Sequence, residues 1–564
     1  MKFRRIRQTL WGVLALALTA CQPATPPPLA LTPTALPETA FVDSAILWRY
    51  AIPAEPPAVG WQSDWNFDDD DWLPGVAPIG NVRPARTFIG VDAAVQTLYL
   101  RATFNVDDDP VQWRGLTLTL DYLSGAAVYL NGNEIARANL DPQAGHSDLA
   151  LLTHNTPAEV FEVGEAINAL RPGPNLLAIE AHRRAEGGDV RVGAELTGVR
   201  AEAPPRFVFG PLLGRLGPDT ITLQVEGDVP ATALVEYALA NALTNTVTVS
   251  PTLHHVIPLT NLQPGTTYHY RVGLQTEHGL TWSQTGQWTT DGGEAQSFQM
   301  AVWGSNAPRS GSSMHPVFTQ LITALEARGP FAFGLTLGDS LELLPGTPDE
   351  ATLRARYLNY LAAIAPLTRH MPLYPALGNH DNPECAACVQ AFLNYYLLPE
   401  QNDQTYYSFD YGPAHLVVLN TQQRGGATIN RLAEAQWVWL QADLKQTTQP
   451  VKLVFMHDDL FRNAEGNLPV FSENDRDLLH TLFRQTGVAA VFQADSHYYD
   501  YWEKDGVAYI ITGGASDELY LQPFNPYWEQ HQALIVRVSP TQVVIEAIMP
   551  DGLTLDQHIL NVHP

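Results

Sequence analysis

Four apolar runs in the second half of the chain each end abruptly on groups that bind metal ions, and no other feature constrains the fold as tightly. Leu373 to Leu377 runs into Gly378-Asn379-His380-Asp381, and Phe331 to Leu337 into Gly338-Asp339. Val451 to Met456 ends on His457-Asp458-Asp459. Ala489 to Phe492 ends, two residues on, at Asp495-Ser496-His497. Continuous runs of Val, Ile, Leu and Phe read as strands buried on both faces. In α/β layers the ligand site lies at the carboxyl ends of such strands. One Asn, two His and several Asp therefore share a plausible meeting point.

The totals narrow the class. At 564 residues the chain exceeds a single domain, and three or four are expected. A net charge of -27 excludes a nucleic-acid scaffold as partner, because no basic field is present to neutralise phosphates. A phosphate-bearing substrate would have to be drawn in by cations. The 13 Trp and 43 Pro suit a β-rich, loop-rich exported protein, and three Cys cannot build a disulfide framework.

Residues 1–21 read as an export signal. Lys2, Arg4, Arg5 and Arg7 precede the apolar stretch Leu10 to Leu18, which is too short for a stable membrane span. Leu18-Thr19-Ala20-Cys21 resembles a bacterial lipobox. That resemblance implies acylation of Cys21 and a protein exported and lipid-anchored to the cell envelope, facing outside the cytoplasm. A plain cleaved signal containing a chance Cys is the alternative. Residues 22–40, rich in Pro and Thr, form a semi-rigid tether.

Residues 41–200 read as all-β. Leu116 to Leu120 has a strand pattern, and Ala126 to Leu130, Asn131-Gly132-Asn133 and Glu134 to Ala138 form a hairpin with its turn signal. Asp121 to Arg137, with Phe67 to Trp72 and Val76 to Gly80, resembles galactose-binding-like jelly rolls, which implies either a carbohydrate partner or a packing role. The Asp68–Asp71 run reads as a solvated turn or a calcium site. Residues 204–293 form a second β domain, where Thr220 to Val225 alternates with period two. Leu262-Gln-Pro-Gly-Thr-Thr-Tyr268 resembles the corner of a fibronectin type III sandwich, and purple acid phosphatases carry a related sandwich just before their catalytic domain. Residues 296–562 alternate apolar strands with helical patterns, including Ala351 to Ala365 and Ala433 to Leu444. The predicted fold class is thus multidomain: two all-β sandwich domains followed by an α/β domain of αββα layers.

Hydrolysis of a phosphoester at a binuclear centre needs two cations about 3.5–4 Å apart, a bridging carboxylate and a water activated between them. Histidine and carboxylate ligands complete the shells, and a further imidazole or Arg meets developing charge. Residues 296–562 resemble a calcineurin-like metallophosphoesterase, nearest in layout to purple acid phosphatases. Gly338-Asp339 matches the motif whose Asp bridges the metals. Gly378-Asn379-His380-Asp381 matches the motif whose Asn binds the second metal and whose His assists the leaving group or holds phosphate. Val454 to His457 matches a strand ending in a ligand His, and Asp495-Ser496-His497 lies where the family has Gly-His-x-His. The resemblance implies His380, Asp381 and Arg309 as catalytic residues, Arg309 holding phosphate in place of a missing His.

The departures bear on the metals. Ser305 stands at the first-metal Asp, Ala307 at a common His, Asp495 at the first His of Gly-His-x-His, and Glu342 at the purple acid phosphatase Tyr. The second site keeps Asp339, Asn379 and His457, with Asp495 as a hard replacement. The first keeps Asp339 and His497 and needs Glu342, Ser305 or Asn306 to complete it. As single residues, Glu342 reads as facing solvent, Arg309 as a solvated loop arginine, Asp495 as either a ligand or a loop residue of a dead site, and Asp458-Asp459 as lining the pocket rim. One or two divalent ions are expected, drawn from Mn, Mg, Ca or Zn and without the Fe(III)–tyrosinate of the purple enzymes. Cys385-Ala-Ala-Cys388 lacks both a second Cys pair and a thioredoxin-like setting, so a local disulfide is expected.

Two functional expectations result. The first is an extracytoplasmic metal-dependent phosphoesterase, acting on a monoester or diester, with a degenerate first metal site. The second is a catalytically impaired metal-binding homologue serving as a surface scaffold or adhesion lipoprotein. Ser305 and Asp495 favour the second; the retained Asp339, Asn379, His380, His457 and His497 favour the first.

Overall fold

A computed structural model describes residues 38–562 apart from 91–95, 152–157, 186–187, 240–241, 307–315, 344–347, 400–404, 424, 462–470, 516–518 and 521–528. The export signal with Cys21, nearly all of the tether, and Arg309 lie outside the described residues. No helix among them is long and apolar enough to cross a membrane.

Toward the amino terminus, two six-stranded sheets enclose one core. The first runs Glu159–Glu162, Trp113–Tyr122, Arg191–Arg200, Ile79–Gly80, Thr87–Phe88, with Thr39–Val42 also pairing Arg191–Arg200. The second runs Leu73–Val76, Leu47–Ala51, Thr97–Val106, Gly173–His182, Gly125–Leu130, Asn133–Ala138. Period two decides the packing. Leu116, Leu118 and Leu120 point inward to meet Leu177 and Ile179, while Thr117 and Thr119 between them are only partly buried. The turn Asn131-Gly132 has positive φ at both positions, 50° and 88°, which matches the twist of the strands it joins. The acidic run is not a free turn: Asp69 pairs with the buried Arg101 at 2.8 Å.

The next 80 residues form a single six-stranded sheet rather than two separate ones. The long strand Ile221–Ala238 loses register with its neighbour Asn245–Leu259 between Glu226 and Ala231. Leu223 and Val225 before that break, and Ala233 and Val235 after it, share one core with Tyr270 and Trp288. The Gln263 N–H donates to the Tyr268 hydroxyl at 2.8 Å, fixing the corner before the strand Thr267–Thr276.

The last part stacks two more six-stranded sheets. One places Leu373–Pro375, Gly334–Thr336 and Phe298–Trp303 in parallel beside the antiparallel Ala533–Ser539, Gln542–Ile548 and Thr554–Asn561. The other is ordered Tyr407–Tyr411, Ala414–Val418, Val451–Phe455, Ala490–Gln493, Val507–Thr512, Tyr499–Lys504, its four middle strands parallel. Five helices are described here: α1 (Pro316–Arg328), α2 (Glu350–Thr368), α3 (Ala386–Tyr395), α4 (Glu434–Gln446) and α5 (Glu473–Thr486). Alternation assigns each strand residue to a layer. Leu453 and Phe455 lie in the core shared with Val302 and Leu335 of the first sheet. Val454 lies instead under Leu440 and Leu444 of α4 and Phe483 of α5. Phe318 of α1 and Tyr360 of α2 join the first core. The order is therefore helix, sheet, sheet, helix. A one-residue register slip would exchange the two buried sets, so the apolar runs tolerate only this arrangement.

Candidate metal centre

All parallel strands of both sheets run the same way toward one edge, and the polar residues collect there. After Phe298–Trp303 come Ser305 and Asn306; after Gly334–Thr336 comes Asp339; after Leu373–Pro375 come Asn379 and His380. The second sheet contributes His457 and then Asp495 and His497. The approach is too close for side chains at two positions. A Cβ on Gly338 would lie 2.6 Å from the Gly378 nitrogen and 2.8 Å from His457 Nδ1, and one on Gly378 would lie 2.1 Å from Asp339 Oδ1.

His457 is the centre of the constellation. It is fully buried, and its Nδ1 lies 2.8 Å from the Leu337 carbonyl, which can only accept. Nδ1 therefore carries the proton, and Nε2 is turned toward three oxygens: Asn379 Oδ1 at 2.9 Å, Asp339 Oδ2 at 3.4 Å and Asp495 Oδ1 at 3.4 Å. A bare nitrogen lone pair facing three acceptors is unfavourable. The arrangement calls for a positive centre among those atoms, either a proton on Nε2 or a metal ion. Burial opposes charging His457, yet Asp339 and then Asp495 hold its pKa well above the usual imidazole range. The separations are also those of neighbouring ligands around one cation, since bonds of about 2.0–2.2 Å place adjacent donors roughly 3 Å apart. By accepting from Nδ1, the Leu337 carbonyl fixes the orientation of the ring and aims Nε2 at the three oxygens. The donors of the second position thus fit a divalent ion.

The first position does not fit equally well. Ser305 Oγ lies 2.7 Å from His497 Nε2 and donates to Asp339 Oδ2 at 3.3 Å. The hydroxyl and imidazole that would have to face a second cation face one another. Asn306 Nδ2 donates to the Ser340 carbonyl at 3.2 Å, and its buried Oδ1 has no hydrogen-bond partner among the described residues. The His497 ring is also stacked on Tyr520, centroids 4.4 Å apart and planes within 7°.

Three expectations need correction. Glu342 does not face solvent: it is 8 % exposed and pairs with His380 Nδ1 at 2.8 Å, so it is engaged with the imidazole rather than free to serve as a first-site ligand. Burial lowers the pKa of His380, but the Glu342 hydrogen bond and the charge of Asp339 lift it to about 9. Asp381 is not placed to act on a substrate. It is buried, and its two oxygens accept the N–H groups of Asp339, Ser340, Leu341 and Gly378 at 2.9–3.1 Å. It organises the two loops that carry Asp339 and Asn379. Asp458 and Asp459 do not line a rim, for both are buried. Asp458 accepts from Gln422 Nε2 at 3.1 Å and Asp459 from the Ser496 N–H at 3.1 Å. His457, Asp458 and Asp495 keep one donor atom each within 4.8 Å of one another, so Asp458 is a carboxylate near the centre that the sequence reading placed at its edge. Cys385 and Cys388 are joined as a disulfide at the start of α3.

Asn379 is exposed and His380 partly so, whereas Ser305, Asp339, His457 and His497 are buried. Among the described residues, the centre is open on the Asn379–His380 side and closed below.

The layered sheets, the preceding β domain and this edge of ligand-type residues define a multidomain chain with the fold of a purple acid phosphatase. A purple acid phosphatase from yellow lupin (Lupinus luteus) seeds superposes with a TM-score of 0.55 at 14% identity, over 83% of this chain and 94% of that one. Residues 223–290 match the family model described as the purple acid phosphatase N-terminal domain. Acid phosphatase type 7 of Mus musculus is 26% identical over 307 residues, and that of Homo sapiens 25% over 312. Each alignment takes in 48% of this chain and 66% of the relative. The chain spans about two thirds of the length of these curated relatives.

Proposed function

We propose that the protein is an extracytoplasmic phosphoesterase that hydrolyses a phosphomonoester or diester at one divalent cation held by Asp339, Asn379, His457 and Asp495. The observation that carries this reading is the set of three oxygens converging on His457 Nε2 at 2.9–3.4 Å. When bound, the cation would polarise the phosphoryl oxygens and supply a nucleophilic water at neutral pH. The chain's own residues do the rest. His457 is oriented by Leu337. Asp381 fixes the two ligand loops. His380 stands at the open side, held by Glu342, where it can donate a proton to the departing alkoxide. The acidic ligand set favours Mn, Mg or Ca, with Zn a further candidate.

One observation favours a second reading. The Ser305–His497 hydrogen bond closes the first metal position on itself, as in an impaired homologue retained as a surface scaffold or adhesion protein. Anchoring to the cell envelope through a lipid on Cys21 and carbohydrate binding by the first β domain are part of the proposal and rest on the sequence alone.

Metal content by mass spectrometry, with hydrolysis of aryl phosphomonoesters and diesters under added Mn, Mg, Ca and Zn, decides between the readings. About one ion per chain with turnover supports the one-cation enzyme. Two ions with turnover would refute the closed first position. No turnover with any ion would leave the scaffold reading standing and overturn the first.

A further inference from the structure

We propose that Arg356 is a positioning residue of the centre, and that through it the amino-terminal β domain holds the loop carrying Glu342 in place. The proposal rests on the phosphoesterase reading only for its kinetic consequence. Its structural basis is separate.

Arg356 lies on α2 and is 3 % exposed. Its guanidinium reaches two oxygens in different parts of the chain. Nη1 donates to the Glu342 carbonyl at 2.5 Å, and Nη2 donates to Asn139 Oδ1 at 3.0 Å. Both acceptors are neutral, and Nε has no partner among the described residues. Desolvating a guanidinium is costly, and no carboxylate among the described residues pairs with it, so what Arg356 contributes here is the geometry of its fork.

Each end of the fork is itself fixed. Asn139 has φ 52° and is buried. Its Nδ2 donates to the Ser124 carbonyl at 3.2 Å, and its own carbonyl accepts the Leu151 N–H at 2.9 Å. At the other end, the Glu342 carboxylate takes His380 Nδ1, and the next N–H, that of Leu343, donates to the His380 carbonyl at 2.9 Å. The path runs from Asn139 through Arg356 and the Glu342 backbone to the His380 ring.

The rest of α2 confirms that the two bodies are seated together. Ala355 is buried in the core of the first β domain. The Thr352 hydroxyl donates to the Arg137 carbonyl at 3.2 Å, and Arg354 pairs with Glu226 of the second β domain. The first β domain, whose sequence leaves a carbohydrate partner or a packing role open, is thus part of the wall behind the centre.

The test uses the full-length protein with three substitutions. Asn139→Gly removes the acceptor without straining a positive φ. Asn139→Asp keeps an acceptor for Arg356. Arg356→Met removes the fork at similar length. Peptide-resolved hydrogen exchange over 338–343 is read first, because it needs no enzymatic activity. Exchange should rise about tenfold in Asn139→Gly and Arg356→Met and return toward the parent in Asn139→Asp. Where turnover is measurable, kcat should fall roughly 10- to 100-fold with KM little changed, and Asn139→Asp should recover most of it. Unchanged exchange in both Asn139→Gly and Arg356→Met overturns the proposal. Raised exchange in a protein without turnover under any ion upholds the clamp and refutes the phosphoesterase reading instead.

Discussion

His415 offers the cleanest measurable consequence of the fold, because it titrates away from the metal centre. It begins the strand Ala414–Val418 as its second residue and is buried. Nδ1 lies 2.6 Å from Asp410 Oδ1, on the neighbouring strand, and Nε2 lies 2.8 Å from Asp443 Oδ2, on α4. Asp443 is held in turn by the Ser408 hydroxyl at 2.9 Å. Burial lowers the His415 pKa, but the hydrogen bonds to Asp410 and Asp443 overcome it and raise the value from 6.5 to about 9. The folded protein therefore binds this proton more tightly than the unfolded chain. Its contribution to stability is full below about pH 6.5, declines as pH rises, and is gone above about pH 9.

A shift from 6.5 to about 9 corresponds to at most about 3–4 kcal/mol. Asp410 is 52% exposed, so solvent screens its share, and roughly 2 kcal/mol is the better expectation. His415→Gln keeps one hydrogen bond and removes the titration. Because the described chain has several separate cores, a single unfolding midpoint would mix transitions. Hydrogen exchange within Tyr407–Val418, corrected for intrinsic rates at pH 6, 7.5 and 9, reads the local free energy directly. The parent should lose roughly 2 kcal/mol of protection across that range, and His415→Gln should begin lower and stay nearly flat. Parallel loss in both proteins would refute the assignment of the charge to this triad.

Three further outcomes bear on the centre itself. Asn379→Ala and His457→Ala should each reduce cation affinity by about a hundredfold or more, read as metal retained after dialysis, since even outer-shell changes cost 10- to 100-fold. Ser305→Asp places a carboxylate where Oγ now bonds His497, and should raise both the metal count and phosphoesterase turnover. No gain in either, with the fold intact by circular dichroism, would mean the first position is closed for additional reasons. Asp381→Ala strands four N–H donors, two of them on residues flanking Ser340, and should cost about 4 kcal/mol or more of local stability, read as lost hydrogen-exchange protection over 334–341. A loss below about 1 kcal/mol would show that water replaces the carboxylate without difficulty.

The strand ends were legible because they depend on local rules. An apolar run followed by Gly-Asp or Gly-Asn-His-Asp has one direction and one exit, so Asp339, Asn379, His457, Asp495 and His497 could be sent to one edge without any contact being known. What failed depended on three-dimensional surroundings. Glu342 lies three residues beyond Asp339 in a loop, and nothing local shows that the loop turns it inward onto His380. Asp381 sits in a motif of reactive residues, yet its four backbone donors come from segments 40 residues away and from its own turn. Arg356 was invisible for a different reason. An arginine in an amphipathic pattern reads as solvated, but Ala355, Arg356 and Tyr357 are buried in succession because α2 is covered by β structure on one side and its own sheet on the other.

The two departures at the centre have one electrostatic meaning when read together. Replacing a carboxylate by Ser305 removes negative charge beside Asp339 and His497. Replacing an imidazole by Asp495 adds it beside His457, with Asp458 and Asp459 buried behind. Burial, with Asp495 nearby, pushes Asp458 and Asp459 above the usual carboxylate range; burial also acts upward on Asp495, but the His457 hydrogen bond and charge bring it below that range. The net effect is to move charge from one cation position to the other rather than to erase it. Simple decay would not concentrate ionised oxygen on a surviving imidazole. A purely structural centre would also gain nothing from a buried Asp339 and a half-buried Asp495 both facing one nitrogen. On the proposed reading, this charge pattern suits one hard cation at Asp339, Asn379, His457 and Asp495.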